Sequence, residues 1–169
     1  FAPMVDIARD PRWGRMIEGA GEDPHLGSVV AAAQVRGFQG DHLGAAEHVI
    51  AGPKHYAGYG AALGGRDYDE TDISDQEFWN VYLPPFAAAV AAGAGNIMSA
   101  YMDLNGVPAT GNKWLLSDVL RDELGFEGFV VSDANSVKDL ETHLFASDQS
   151  DAAVRSLTTG LYMKTASSE

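Results

Sequence analysis

The chain has 169 residues, with 24 acidic and 11 basic side chains and a formal net charge of −13. Hydrophobic residues make up 46% and charged residues 21%, which is typical of about one globular domain and not of a disordered chain. The negative charge argues against nucleic acid or anionic membrane as a partner, and the absence of cysteine excludes disulfides, thiolate catalysis and cysteine-ligated metals.

Short apolar runs of the kind that form buried strands recur along the chain. Such continuous runs are typical of strands covered on both faces, as in parallel sheets. No run approaches the ~20 apolar residues of a membrane span. The runs occupy residues 2–7, 48–55, 96–102, 129–133 and, more weakly, 161–163.

Two helix starts between these runs are marked by capping residues. Asp23, followed by a proline, predicts a helix over residues 24–38 with a stop at Gly40. Ser74 has the capping-box spacing to a glutamate and predicts a second helix over residues 74–92. A proline pair in the middle of that second stretch should kink or split it.

Two further helices are predicted from periodicity and glycine stops. Residues 112–124 place their aliphatic side chains on one side, and Gly125 stands where a C-terminal stop belongs. A shorter helix over residues 151–159 precedes Gly160. Strand and helix thus alternate about five times, which implies right-handed βαβ crossovers and a parallel sheet.

The predicted fold class is α/β, and both an open doubly wound sheet and a (β/α)8 barrel fit it. A barrel needs at least ~200 residues, so this chain would supply about five βα units of an incomplete TIM-barrel-like domain. An open sheet would usually carry a phosphate loop, but the glycines after residue 55 match no nucleotide motif. Because the chain starts at Phe1 with neither an initiator methionine nor a signal peptide, we expect a fragment of a longer chain, of unknown compartment.

Ionisable and hydroxyl side chains stand at the C-terminal ends of the predicted strands, where chemistry gathers in both architectures. They are Asp6, Lys54, His55, Tyr101 and Asp133. A carboxylate placed like Asp133, straight after a buried strand, is solvated, paired or catalytic, or caps the next helix. Lys54 and His55 share a pocket only if the strand bends there, and the alternative is a surface lysine beside a core histidine.

Two charged loops flank these strand ends. Residues 9–18 are dense in charge around Trp13, and they form either an ion-pair network or a clamp on a polar ligand. A second charged loop, over residues 66–69, is by default a solvated turn. The histidines show no ligand spacing, so no metal site is predicted.

Together these strings resemble glycoside hydrolase family 3, which includes many β-glucosidases and β-xylosidases. The matches follow the family's order and cover residues 1 to about 163. The matching strings are APMVDIARDPRWGRMIEGAGEDPHL, GPKHYAGYGAALGGRDYDETDIS, VYLPPF, NIMSAYMDLNGVPATGNKWLLSDVLRDELGFEGFVVSDANSV and the weaker DAAVRSLTTGLYM.

The resemblance implies that residues 1–169 are part of an N-terminal (β/α)8-type catalytic domain, without its early strands and without the second, α/β sandwich domain. It implies a retaining mechanism with Asp133, the Asp of V-S-D, as the nucleophile, and an acid/base carboxylate on the missing domain. It implies no cofactor and no metal. The implied partners are a β-glucoside or oligosaccharide substrate and the rest of the same chain.

The same resemblance assigns the sugar-binding residues one by one. Charged donors suit that role because they bond sugar hydroxyls and stabilise a carboxylate. For Met98, core packing is the alternative. The implied residues are Arg15 of W-G-R, Lys54 and His55 of K-H, Arg66 of G-G-R-D-Y, Tyr101 of M-S-A-Y, and Met98 on the strand before it.

The expected activity is that of a retaining exo-β-glucosidase acting on terminal, non-reducing β-D-glucosyl residues. A β-xylosidase of the same family is the first alternative, since one hydroxymethyl group supplies only ~1–3 kcal/mol of discrimination. A carbohydrate-binding or inactive fragment is the second. Ala134 follows the nucleophile position where many members have tryptophan, so the aglycone side differs from the common pattern.

Overall fold

A computed structural model describes residues 1–165 as an α/β arrangement. The helices are α1 (Pro24–Gln39), α2 (Asp75–Glu77), α3 (Pro84–Ala91), α4 (Asp139–Thr142) and α5 (Gln149–Thr158). Two π-helical segments span Phe78–Tyr82 and Trp114–Glu123, and 3₁₀ turns span Met16–Glu18, Tyr59–Ala61, Leu63–Gly65 and Ala109–Gly111. The strands are β1 (Asn96–Ser99), β2 (Asp103–Leu104), β3 (Val107–Pro108) and β4 (Phe129–Ser132). No helix in this described part is long and apolar enough to cross a bilayer.

The parallel strands lie side by side in chain order. β1 pairs with β4 in parallel, with Asn96 opposite Phe129 at the start of the register. Single parallel bridges join Met4 to Lys54, Tyr56 to Ser99 and Val131 to Met163. The predicted α/β class with parallel strands is therefore confirmed, whereas the five-unit barrel stays a prediction.

Four of the predicted strands are shorter than the apolar runs suggested. β1 covers residues 96–99 of the predicted 96–102, and the strands predicted at residues 2–7, 48–55 and 161–163 make isolated bridges instead of continuous ladders. The first part of the predicted 48–55 strand is wrong, because residues 48–50 are exposed and form no strand. Pro3 and Pro53 lack the N–H that a ladder needs, which interrupts the segments at 2–7 and 48–55. Backbone bonds still align them, because Val5 N–H donates to the Lys54 carbonyl at 2.8 Å.

A small hairpin follows β1 that the sequence analysis did not predict. β2 and β3 are antiparallel and are joined by Asn105 and Gly106, with φ angles of 50° and 81°. Positive φ at both positions is the requirement of a type I′ turn, and Asn-Gly is its preferred sequence. The hairpin projects from the C-terminal end of β1.

The capped helices form as predicted. The Asp23 side chain accepts a hydrogen bond from His25 N–H at the start of α1, which ends at Gly40 with a φ of 67°. The capping box at Ser74 is complete, and the helix it opens is split, with α3 beginning at Pro84. The predicted split is thus confirmed.

The other two helices differ in detail from their predictions. Residues 112–124 contain the π-helical segment rather than an α-helix, although the same aliphatic face is buried. The last helix, α5, begins at Gln149, two residues earlier than predicted, because the Asp148 side chain caps it by accepting from Asp151 N–H.

A close backbone approach positions the loop after residue 55. A Cβ at Gly60 would lie 2.1 Å from the Ile7 carbonyl oxygen, so only glycine fits there. Arg9 N–H donates to the Gly60 carbonyl at 2.8 Å. The loop is thereby held against the end of the N-terminal segment, which brings Asp6 and His55 together.

Candidate functional site

Asp133, directly after β4, is the carboxylate on which the polar groups of the site converge. Its Oδ1 accepts from the Tyr101 hydroxyl at 2.9 Å and from Ala134 N–H at 2.7 Å. Its Oδ2 lies 3.3 Å from Nε2 of His55. The Asp133 side chain is 14% exposed, so the carboxylate is both anchored and open to a ligand. Donors in this number stabilise a negative charge on the carboxylate.

His55 connects Asp133 to a second carboxylate. Its Nδ1 lies 2.8 Å from Asp6 Oδ2, and its backbone N–H donates to the same oxygen at 3.0 Å. The side chains of both His55 and Asp6 are only 1% exposed. The backbone pairing of the two segments that carry them sets this contact, as the parallel bridge from Met4 to Lys54 shows.

Tyr101 is a fixed hydrogen-bond donor in this cluster. Burial raises its pKa, and the charge of Asp133 and the hydrogen bond to it raise the pKa further. The phenol therefore stays protonated at neutral pH, where the carboxylate that it donates to is ionised. Its ring meets that of Tyr68 edge to face, with centroids 4.9 Å apart.

Arg15 forms a two-contact ion pair with Glu18 beside the cluster. Nε–Oε1 and Nη2–Oε2 distances are 2.7 and 3.0 Å. The hydrogen bonds raise the pKa of Arg15 and lower that of Glu18, and the charges of Lys54 and His55 lower the Glu18 pKa further. The charged stretch therefore contains an ion-pair network, and its Arg15 lies over the Tyr59 ring that packs on His55.

Aromatic rings form the floor next to these charges. The Tyr59 ring is fully buried and packs edge to face on His55 and on Trp13, with centroids 5.0 and 5.3 Å apart. The Arg15 guanidinium lies 5.7 Å from the Tyr59 ring centroid. Trp13 Nε1 donates to Asp67 Oδ1 at 2.9 Å, which ties the first charged loop to the second.

A cavity of about 220 Å³ opens next to Asp133. One of its residues, His143, pairs through Nδ1 with Asp103 Oδ1 at 2.7 Å, and this hydrogen bond raises the pKa of His143. The pair joins β2 to the end of α4. The cavity is lined by Tyr68, Tyr101, Ala134, Asn135, Asp139 and His143.

Two of the predicted site residues lie apart from the cluster. The Arg66 side chain is 74% exposed and pairs with Asp69 three residues on, so the turn is solvated. Met98 is buried in β1, where its register partner is Val131. Within residues 1–165, no group of three or more histidine and carboxylate side chains is arranged to hold a metal ion.

The site also contains residues to which the family resemblance assigned no role. Asp6 stands at a predicted strand end, which was the only signal for it. Glu18 belongs to the charged stretch, and Trp13 lies inside that stretch. Tyr59 lies in the glycine-rich loop, and no local pattern distinguishes it from a core tyrosine.

Known proteins similar to this chain carry glycosidase names. The sequence model described as the glycosyl hydrolase family 3 N terminal domain matches residues 1–169. A periplasmic beta-glucosidase from Salmonella typhimurium is 46% identical over 98% of this chain and 22% of its own length. A beta-xylosidase from Formosa agariphila is 45% identical over 96% of this chain and 23% of its own.

Solved structures give the same result. The crystal structure of a beta-glucosidase from Listeria innocua in complex with isofagomine superposes with a TM-score of 0.95 at 42% identity. That match covers 97% of this chain and 23% of the Listeria chain. The chain thus spans somewhat more than a fifth of the length of the curated relatives it matches.

Proposed function

Because the chain belongs to glycosyl hydrolase family 3, we propose that it carries the nucleophile side of a retaining exo-β-glucosidase site. Asp133 is the nucleophile, and the substrate is a terminal, non-reducing β-D-glucosyl residue. The observation that carries the proposal is the convergence of Tyr101, Ala134 N–H and His55 on this one carboxylate. Its place at the C-terminal end of a parallel strand is the usual position of catalytic groups in such folds.

The two oxygens of Asp133 are held differently, which supports a different part for each in the proposed reaction. Oδ1 accepts two short hydrogen bonds, at 2.7 and 2.9 Å, whereas Oδ2 makes only the 3.3 Å contact with His55. We propose that Oδ2 attacks the anomeric carbon while Oδ1 stays anchored. The bond from Oδ2 to carbon forms as the bond from carbon to the aglycone oxygen breaks, and the leaving oxygen takes the electron pair and a proton.

The proton donor is proposed to lie outside this chain. Retaining glycosidases hold their two carboxyl groups about 5–5.5 Å apart. The groups that bond or pair with Asp133 among the described residues are Tyr101, Ala134 N–H and His55, and none of them is a carboxyl group that could serve as the acid/base. The remaining barrel strands and a second domain of the same polypeptide would supply the acid/base and complete the barrel around these five units.

We propose that the sugar hydroxyls bind to two basic side chains of the site, Lys54 and Arg15. Lys54 is half-buried beside His55, and the Arg15 guanidinium is fixed by Glu18. Both groups donate hydrogen bonds and accept none, which suits hydroxyl oxygens. Arg66 would have to turn inward from its exposed position to join them, so it binds only if the loop over residues 66–69 closes.

A β-xylosidase is the second candidate, because the similar proteins carry both names. A carbohydrate-binding or inactive fragment is the third. The two sugar specificities differ by one hydroxymethyl group, worth about 1–3 kcal/mol. Labelling rates with the two sugars, compared on one enzyme, separate the first two candidates.

Intact-mass analysis tests the proposal. The full-length protein is incubated with a 2-deoxy-2-fluoro-glucoside that carries a good leaving group, which needs little protonation. We expect one glycosyl adduct on Asp133 and none in the Asp133→Asn variant. Faster labelling by the matching xyloside would favour the second candidate. A folded protein that gains no adduct from either sugar would favour the third.

A further inference from the structure

His55 is placed between two carboxylates, one on each side of its ring. Nδ1 faces Asp6 Oδ2 at 2.8 Å and Nε2 faces Asp133 Oδ2 at 3.3 Å. The ring is 1% exposed, so water does not replace either partner. Each ring nitrogen therefore has a carboxylate oxygen as its neighbour.

The number of protons on the ring follows from this arrangement. A neutral imidazole has one N–H donor and one bare nitrogen, whereas the imidazolium has two donors. A bare Nε2 would point its lone pair at the negative oxygen of Asp133. Only the doubly protonated ring has a proton on the side of each carboxylate, so that it donates to Asp6 at 2.8 Å and makes an ion-pair contact of 3.3 Å with Asp133. Buried charges of opposite sign offset one another's loss of solvation.

The Asp6 carboxylate bonds to two groups of His55. Among the described residues, the hydrogen bonds that the Asp6 carboxylate accepts come from the His55 ring and the His55 backbone N–H. Two bonds from one residue fix both the position and the rotation of the ring. Asp6 does not touch Asp133, so any effect it has on that carboxylate passes through His55.

We propose that Asp6 is a positioning residue that keeps His55 doubly protonated and aimed at Asp133 Oδ2. This rests on the proposed function only in taking Asp133 as the nucleophile. The imidazolium orients the attacking oxygen and stabilises its negative charge before the sugar arrives. Removing the Asp6 charge leaves one carboxylate to support the proton, and His55 then reverts to the neutral form.

Other charged and titratable groups also surround His55. The ring meets the edge of Tyr59, whose pKa is raised by burial, so this neighbour stays uncharged. Lys54 precedes it in the chain, and Glu18 lies close enough for its pKa to respond to the His55 charge. The groups next to His55 are Asp6 and Asp133 at its two nitrogens, Tyr59 at its ring edge and Lys54 before it in the chain, with Glu18 near enough to respond to its charge. Arg15 contacts Glu18 and Tyr59, and Tyr101 contacts Asp133.

Selective ¹⁵N-histidine labelling of the full-length protein tests the proposal without any substrate. At pH 7 we expect both His55 ring nitrogens to carry protons, with the signals assigned by their loss in His55→Gln. The Asp6→Asn variant keeps the size and one acceptor oxygen, and we expect it to show the neutral ring. Asp103→Asn, which removes the carboxylate from the other histidine pair, should leave the His55 signals unchanged.

Kinetics provide the second readout. In Asp6→Asn we expect kcat and kcat/KM for an activated aryl glucoside to fall together by about 10- to 100-fold, with KM little changed. We also expect the alkaline limb of the pH profile to move to lower pH. A neutral His55 in the wild-type protein would overturn the proposal even if the variant did not fold. So would a charged His55 in Asp6→Asn.

The test of the His55 protonation state and the test of the proposed function can give different answers. If no sugar labels Asp133 but the His55 charge depends on Asp6, the function is wrong and the proton assignment holds. If Asp133 is labelled and His55 is neutral, the function stands and the role of Asp6 falls.

Discussion

The Tyr101 hydroxyl donates to Asp133 Oδ1 at 2.9 Å across 32 residues of sequence. The pairing exists because β1 and β4 run parallel and end together, so that the residues just beyond them meet. A tyrosine whose pKa is raised by burial is a donor that does not titrate in the working range. This contact and the Ala134 N–H hold one oxygen of the carboxylate still.

Tyr101→Phe removes that donor and little else. A hydrogen bond to a charged group contributes about 1.5–3 kcal/mol, so we expect kcat/KM to fall about 10- to 150-fold. Steady-state kinetics with an activated aryl glucoside measure this. The control is Tyr162→Phe, because Tyr162 is 67% exposed and lies on the edge segment that pairs with β4, beside Met163. Equal losses in the two variants would contradict the assigned contact.

Glu18→Gln tests the ion pair with Arg15 through its pH dependence. The pKa of Glu18 is lowered from 4.5, chiefly by its hydrogen bonds to Arg15, so the pair stabilises the fold above pH 4.5. That contribution is lost as the pH falls through the lowered pKa. The Glu18 side chain is 37% exposed, so we expect only about 0.5 kcal/mol at pH 7.

Urea denaturation from pH 7 down to pH 3 gives the measurement for Glu18→Gln. The free-energy difference from the wild-type protein should shrink with falling pH. Glu123→Gln, at an exposed position of the second π-helical segment, should show no such trend. A difference that grows as the solution is acidified would be the wrong sign for this ion pair.

His143→Gln tests the ion pair between His143 and Asp103. The pH dependence of its effect on stability is opposite to that of Glu18→Gln. The hydrogen bond from Asp103 raises the pKa of His143 above 6.5, so the pair stabilises the fold fully below pH 6.5. The contribution is lost as the pH rises through the raised value. We expect a cost of about 1 kcal/mol at pH 5.5 that declines towards pH 9. His42→Gln, at an exposed histidine, should cost little at either pH.

Gly60→Ala tests the close backbone approach between the loop after residue 55 and the N-terminal segment that carries Asp6. The added Cβ would lie 2.1 Å from the Ile7 carbonyl oxygen, so we expect a loss of about 2–3 kcal/mol or more. Gly37→Ala is the matched control, since nothing lies within 4 Å of its Cβ position in α1. That control should gain about 0.5–1 kcal/mol, because alanine is the better helix former. Thermal melts of the two variants should therefore shift in opposite directions.

Local signals predicted the capped helices and the strand-end position of Asp133. Caps and apolar runs are encoded within a few neighbouring residues, so a single sequence shows them. The π-helical register of Trp114–Glu123 was not predictable, because its side-chain pattern buries the same face as an α-helix would. Asn105-Gly106 is a turn signal for the hairpin, but its strands have only two residues each, which is too short to show an alternating pattern.

Contacts in the site between residues far apart in the sequence could not be predicted from local sequence patterns. Asp6 and His55 are 49 residues apart, and only the pairing of their strands brings them into contact. The sequence placed both at strand ends but did not show that their side chains would meet. Conversely, Arg66 and Met98 were selected through the family resemblance, and the structure places one in solvent and the other in the core.

The starts of the parallel strands contrast with their ends. A Cβ at Gly128 would lie 2.3 Å from the Gly95 carbonyl oxygen, and one at Gly52 would lie 2.4 Å from Asn96 Oδ1. At the other end the side chains of Asp6, His55 and Asp133 are held by hydrogen bonds and an ion pair, with Gly60 packed as closely beside them. Under the proposed function, a substitution at the strand starts lowers the amount of folded protein in a cell. One that exchanges a charge for a neutral group of the same size at the strand ends lowers the rate at which each folded molecule reacts.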